Sequence, residues 1–255
     1  MRQSIEIMKN SIVSILNENV LAIYLYGSVP FNDFKLGWSD IDIICITKQP
    51  ITDYQAEQLV NLRQTLLEEE QGNKYFRSFE GAIVSLLELQ NKDYKKVVYW
   101  GTSGQRITSN YYFDVFSQYE LIKFGLLLYG KDIRSTLQMP LYNQLREEVI
   151  RHYNVIRKYA IKTDESLYSC GWLLDIARGI YTLRTGEVIA KTKAGEWALT
   201  ESICPVEEHL IKTLEIRNNP LRYKNKEDIK RWLTSLGPII QQFADVLEDE
   251  IERTG

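Results

Sequence analysis

The sequence predicts an α/β (α+β) domain followed by an all-α domain, and three observations carry that prediction. Short runs rich in β-branched residues, "LAIYLYGS", "DIDIICIT" and "FEGAIVSLLEL", alternate with helical patterns through the first half of the chain. After about residue 135 the strand signals fade, and the periodic segments 141–160, 169–184, 204–218 and 226–252 remain, with a shorter one near 192–200. The period changes at "STLQMPLYN", which divides the chain into residues 1–135 and 136–255.

Each element has its own signal. Ile5, Met8, Ile12, Ile15 and Leu16 recur at helical intervals, so residues 3–19 read as an amphipathic helix. "LAIYLYGS" follows as a buried strand ending at Gly27-Ser28, and "DIDIICIT" as a second strand. Their link, residues 29–39, holds the turn formers Pro30, Asn32, Asp33 and Gly37. Residues 53–72 read as a helix stopped by Gly72, "FEGAIVSLLEL" as a third strand from Phe79, and residues 114–128 as a helix ending at Gly130.

Composition narrows the function classes. With 255 residues, 44% of them hydrophobic, the chain is long enough to bury a sizeable core. The first twenty residues mix charged and amide side chains with apolar ones and lack the unbroken apolar stretch of a signal peptide, and no run reaches the length of a membrane span. Cys45, Cys170 and Cys204 are odd in number and widely spaced, which suits buried thiols in a reducing cytoplasm and predicts no disulfide. His152 and His209 stand far apart with no paired cysteines, so any metal is expected on oxygen ligands rather than as zinc. A net charge of −3 speaks against a nucleic-acid partner. The basic cluster Arg222, Lys224, Lys226, Lys230 and Arg231 includes Glu227 and Asp228, and reads as a solvated helix face.

The stretch "LYGSVPFNDFKLGWSDIDII", residues 25–44, carries the chemistry. Alternation along a strand sends Asp40 and Asp42 to one face and Ile41 and Ile43 to the core. Two carboxylates so close repel and raise each other's pKa unless a cation lies between them, and Mg²⁺ takes carboxylate and phosphate oxygens together. Alone, D-x-D is a pattern found mostly on solvated strands and turns. Gly27 and Ser28 strengthen it, because glycine lets the backbone approach an anion while the serine hydroxyl and nearby N–H groups can donate to phosphate oxygens. Together the two halves describe a metal–triphosphate site.

The pattern G-S-x11-D-x-D at a strand–turn–strand resembles the nucleotidyltransferase superfamily related to DNA polymerase β. Within it, "YLYGS…WSDIDIICI" is similar to the antibiotic adenylyltransferases, in particular the aminoglycoside (3'') and (9) enzymes that modify streptomycin and spectinomycin. "FEGAIVSLL" puts Glu80 at that family's spacing from the second aspartate. Farther on, "LLDIARGIYTLRTGEVIAKTKAGEWAL" resembles a helical segment of the same enzymes, matching Arg178, Thr185, Gly186, Lys191, Trp197 and Ala198. The resemblance implies an α/β nucleotidyltransferase domain with a mixed sheet, then an all-α helical-bundle domain that binds nucleotide and substrate.

It also implies roles. A substrate hydroxyl attacks the α-phosphorus of ATP and pyrophosphate leaves, with Asp40 and Asp42 holding one or two Mg²⁺ ions. Ser28 and, by resemblance, Ser39 anchor the β- and γ-phosphates. Glu80 acts as general base toward the hydroxyl; a third metal ligand or an edge-strand carboxylate are its other readings. Arg178 either pairs with Asp175 or reaches the triphosphate together with Lys191. Tyr223 packs against adenine or is a surface aromatic on a loop. The acceptor is a small cationic aminoglycoside or aminocyclitol, for which Asp164 and Glu165 are the candidate carboxylates and Glu196 a lesser one; capping of the following helix is their alternative. "IKTDESLYSCGW" lacks the tryptophan that precedes this helix in the enzymes that take both drugs, which favours the spectinomycin 9-hydroxyl over the streptomycin 3''-hydroxyl. The expected protein is a cytoplasmic monomer. Two other classes stay open: a nucleotidyltransferase acting on another small alcohol or a protein, and an antitoxin-type minimal nucleotidyltransferase. "REEVIRH", residues 146–152, has the R-x5-H spacing of the RNases paired with such modules.

Overall fold

The computed structural model describes residues 1–101 and 104–255. The chain divides into two compact units, Met1–Asn32 with Asp40–Met139, and Asp33–Ser39 with Pro140–Gly255. The segment between the first two strands thus belongs with the C-terminal half, and the second unit resumes at Pro140.

In the first unit the elements run α1 (Arg2–Leu16), β1 (Val20–Tyr26), β2 (Ile41–Thr47), α2 (Asp53–Glu69), β3 (Phe79–Ser85), α3 (Leu86–Asn91), β4 (Val97–Gly101), β5 (Gly104–Thr108), α4 (Val115–Phe124) and β6 (Leu126–Gly130). Among the described residues these strands form one mixed sheet in the order β5-β4-β3-β2-β1-β6. The β2–β3 pair is parallel, and the other neighbours are antiparallel. Strands β1, β2 and β3 are buried along almost their whole length, which is why they read as near-continuous apolar runs. On one face Ala22, Tyr24, Tyr26, Ile44, Ile46, Ala82 and Val84 pack with Leu89 of α3, Leu121 of α4 and Phe113. The next residues of that face, Asp42 and Glu80, are acidic, so the apolar layer gives way to carboxylates at one end of the sheet.

The structure changes two of the expected elements of this unit and adds a strand pair. β3 stops at Ser85, where the Ser85 hydroxyl accepts from the Glu88 amide and the Glu88 carboxylate reaches back to Ser85, a capping box that starts α3. The S-x-x-E signature of Ser85 and Glu88 inside "FEGAIVSLLEL" is the local signal that ends the strand. The helix expected over 114–128 ends at Phe124, and the short apolar run that follows pairs with β1 as β6. Periodicity alone does not separate a short strand from a helix end, and pairing along the open edge of β1 decides it. The β4–β5 hairpin had no counterpart in the sequence reading.

The second unit holds α5 (Tyr142–Tyr159), α6 (Tyr168–Thr185), α7 (Lys191–Thr200), α8 (Glu207–Asn218), the short α9 (Pro220–Tyr223), α10 (Glu227–Thr234) and α11 (Gly237–Arg253). α6 is its centre, packed against α5, α7, α8 and α11. Leu173, Leu174, Ile176, Ala177 and Ile180 are fully buried there, which accounts for its mostly apolar sequence. The single helical segment expected over 226–252 is broken before Gly237, with Pro238 in the first turn of α11, where a missing N–H costs nothing. Asp33, expected only as a turn former, is 5% exposed and lies in a buried ion pair: Arg217 Nη2 donates to its Oδ2 at 2.7 Å, and the Thr192 hydroxyl to its Oδ1 at 2.5 Å. Arg217 Nε donates to Thr192 Oγ1 at 2.9 Å, so all three polar groups are satisfied inside the helical unit. All three cysteines are buried free thiols. Among the described residues no helix is long and apolar enough to cross a membrane.

Candidate active site

The sheet brings Asp42 and Glu80 side by side. They are directly paired in the parallel register of β2 and β3, and Asp42 is opposite Tyr26 across β1. Asp40 lies just before β2, and its carbonyl accepts a hydrogen bond from the Ser28 hydroxyl at 3.1 Å. The turn after β1 is thereby tied to the strand that carries the aspartates.

Two glycines permit this closeness. Gly27 has φ of +67°, and a Cβ there would fall 2.1 Å from Asp42 Oδ2. Gly81, beside Glu80, has φ of +150°, and a Cβ would lie 1.7 Å from the Ile43 carbonyl oxygen. Either position excludes an L side chain, on backbone conformation and on space alike.

The charges that bear on Asp42 are of one sign. Burial, then the carboxylates of Glu120, Asp40, Glu80 and Asp114, push the Asp42 carboxyl well above the usual range. Glu120 and Asp114 come with α4, where Asp114 caps the helix by accepting from the Ser117 amide at 2.8 Å. Neither was singled out from the sequence, because their approach to Asp42 depends on where α4 packs. Such an accumulation of oxygen donors fits Mg²⁺. Among the described residues no group of three or more His, Cys, Asp or Glu side chains is already gathered to hold a metal ion. Asp40 and Asp42 are the residues that would hold such an ion.

Glu80 is held by the Tyr99 hydroxyl, which donates to its Oε1 at 2.7 Å. Arg63 spans the neighbouring backbone, donating to the carbonyls of Phe79 at 2.8 Å and Gly101 at 3.2 Å and to Gln105 Oε1 at 2.8 Å. Sequence reasoning missed both Tyr99 and Arg63.

The remaining sequence-derived candidates lie in the second unit. Ser39 is buried, and its hydroxyl oxygen accepts from the Lys35 amide at 3.1 Å. Lys191, at the start of α7, contacts Asp175 on α6 at 2.7 Å. Burial alone would raise the Asp175 carboxyl, but the charges of Lys191 and Arg178, with the Lys191 hydrogen bond and His152, hold it below the usual range. Arg178 and Lys191 are therefore brought to one acidic residue. Tyr223 is buried, which removes its reading as a surface aromatic, and its hydroxyl donates to Glu215. Asp164 and Glu165 are exposed ahead of α6. Asp164 Oδ1 accepts from the Ser166 amide at 2.9 Å and the Ser169 hydroxyl at 2.8 Å, holding the turn into α6, and Glu165 is 3.9 Å from Lys230. Glu196 is exposed on α7. In the R-x5-H pair, Arg146 donates to the Ile251 carbonyl at 3.1 Å while His152 lies 3.1 Å from Glu148, so the two side chains have different partners.

No protein-family model matches the chain. No curated protein matches it either. Among solved structures it is similar to the spectinomycin adenyltransferase AAD(9) from Enterococcus faecialis, crystallised with ATP and spectinomycin. The TM-score is 0.66 at 17% identity, over 97% of this chain and 99% of that one. The chain therefore shares the fold of that structure, a mixed-sheet unit followed by a helical one.

Proposed function

We propose that the protein transfers AMP from ATP to a hydroxyl of an aminoglycoside or aminocyclitol antibiotic, favouring the spectinomycin 9-hydroxyl over the streptomycin 3''-hydroxyl, with release of pyrophosphate. The observation that carries the reading is the pairing of Asp42 with Glu80 beside the Gly27-Ser28 turn, at one end of the sheet. The shared fold with an adenyltransferase crystallised with ATP and spectinomycin supports it.

Mg²⁺ held by Asp40 and Asp42 would lower the pKa of the attacking hydroxyl and neutralise charge on the leaving oxygens. Glu80 takes the hydroxyl proton as the new bond to the α-phosphorus forms and the bond to pyrophosphate breaks. The Ser28 hydroxyl and the backbone amides of its turn donate to phosphate oxygens, and Ser39 serves the same group. Arg178, Lys191 and Tyr223 are assigned to the nucleotide, and Asp164 and Glu165 to ammonium groups of the acceptor.

The test is pyrophosphate release by the purified protein with MgATP, offering spectinomycin, streptomycin and other aminoglycosides singly, with Asp42→Asn as the blank. Release that requires one drug and vanishes in the variant is the expected result. MgATP binding without release across the panel transfers the reading to another acceptor. Absence of MgATP binding overturns the mechanism.

A further inference from the structure

We propose that Tyr99 is a positioning residue for Glu80: its hydroxyl fixes Oε1, so that Oε2 is the oxygen that takes the proton from the acceptor hydroxyl. This rests on the adenylylation reading above, and it assigns a role to a strand, β4, that no sequence motif reaches.

The placement follows from register. Tyr99 is directly opposite Ala82 in the antiparallel β3–β4 pair, and Glu80 lies two residues before Ala82 on the same face. Diagonal neighbours on a sheet are within reach of an aromatic side chain, and here the hydroxyl arrives at 2.7 Å from Glu80 Oε1. The ring that delivers it is itself held. Arg106, directly across the β4–β5 pair, sets its guanidinium 4.5 Å from the ring centroid, and the Tyr111 ring centroid is 6.0 Å away.

Gly101 supplies the space. A Cβ at that position would lie 2.3 Å from the Tyr99 hydroxyl oxygen and 2.5 Å from Cε1 and Cζ, so a methyl group there pushes aside the end of the ring that touches Glu80. Burial and the Glu80 carboxylate keep the Tyr99 phenol well above its ordinary pKa, which makes it a standing donor rather than a competing base. A donor that occupies one carboxylate oxygen restricts the rotation of the whole group, and a base within reach of its proton works only when correctly aimed.

The experiment is a double-variant cycle in steady-state pyrophosphate release with the best acceptor. Tyr99→Phe is expected to lower kcat about tenfold, the scale of a hydrogen bond to a charged group, with KM for MgATP within about twofold. Glu80→Gln is expected to lower kcat by ~10²–10⁴. In the Glu80→Gln background Tyr99→Phe should add less than about a twofold loss, since groups acting through one another are not additive. Gly101→Ala, an independent route to the same displacement, should reproduce the kcat loss of Tyr99→Phe and add little to it.

Equal fold losses from Tyr99→Phe with and without Glu80 would mark a merely structural hydrogen bond and overturn the proposal. So would wild-type turnover in Tyr99→Phe, or full activity in Glu80→Gln, with the adenylylation reading intact in both cases. A wild-type protein that turns over no acceptor would overturn the adenylylation reading itself, and the role of Tyr99 with it.

Discussion

Asp42 on the sheet and Asp175 in the helical unit are the same side chain in opposite surroundings. Around Asp42 the charged neighbours are Glu120, Asp40, Glu80 and Asp114, and burial adds to them, so its carboxyl is pushed up. Asp175 meets the same cost of burial, but Lys191 and Arg178 more than offset it, and its carboxyl is held down. In the first cluster the charges that bear on the aspartate are all negative, while the Arg63 guanidinium acts on its neighbours Glu80 and Asp40. The other is balanced by its own side chains. Perturbed carboxylates gather at functional sites and in structural ion-pair networks alike, and the sign of each shift records which charges surround it.

The contrast can be broken most directly at Asp42. On the proposed mechanism Asp42→Asn removes a metal ligand and is expected to abolish measurable pyrophosphate release. In Mg²⁺-free buffer the same variant should melt higher than wild type, because the substitution removes one of the mutually repelling carboxylates.

Next in size is the buried pair of the helical unit. Arg217→Met leaves Asp33 buried without its cation and should cost about 3–5 kcal/mol in a urea titration, with Asp33 exposed only 5%. A shift of under about 1 kcal/mol would show that the helices relax to admit water there.

Gly27→Ala combines an unfavourable φ with a contact at Asp42, and a stability loss of about 1–3 kcal/mol is expected along with loss of MgATP binding by calorimetry. Retained binding would mean the turn can move without disturbing the aspartates.

Asp175→Asn is the smallest effect and has the opposite sign from Asp42→Asn: a loss of about 1–2 kcal/mol at pH 7. Because the folded-state pKa of Asp175 is depressed, the contribution is fully present above its unfolded value near ~3.9 and fades as pH falls through the lower folded value. Chemical denaturation of wild type and variant at pH 7 and in acid should therefore converge toward low pH. Divergence would contradict the pairing with Lys191 and Arg178.

What could be read in advance follows a physical line. Gly27, Ser28, Asp40 and Asp42 were legible because strand alternation and turn chemistry are local, and all four fall between residues 27 and 42. Glu80 was reached only through family resemblance, since its pairing with Asp42 joins strands 38 residues apart, as the register Asp42↔Glu80 records. Ser85 and Glu88 carried a legible capping box that the apolar run around them obscured. Tyr99, Arg63, Asp114 and Glu120 had no local signal, because a tyrosine on a strand or a glutamate on a helix is ordinary until packing chooses its neighbours.

The same division holds for the molecule as a whole. Period and composition by themselves determined an α/β half followed by a helical half, because backbone geometry repeats over a few residues; of the two aspartates read onto one strand face, Asp42 lies on β2 and Asp40 just before it. Only the tertiary structure decided the strands β4, β5 and β6, the burial of Asp33 against Arg217, and the hydrogen bond from Tyr99 to Glu80. Strand pairing, ion pairing and desolvation are set by groups far apart in the chain, and their energies exist only once the chain has folded to bring them together.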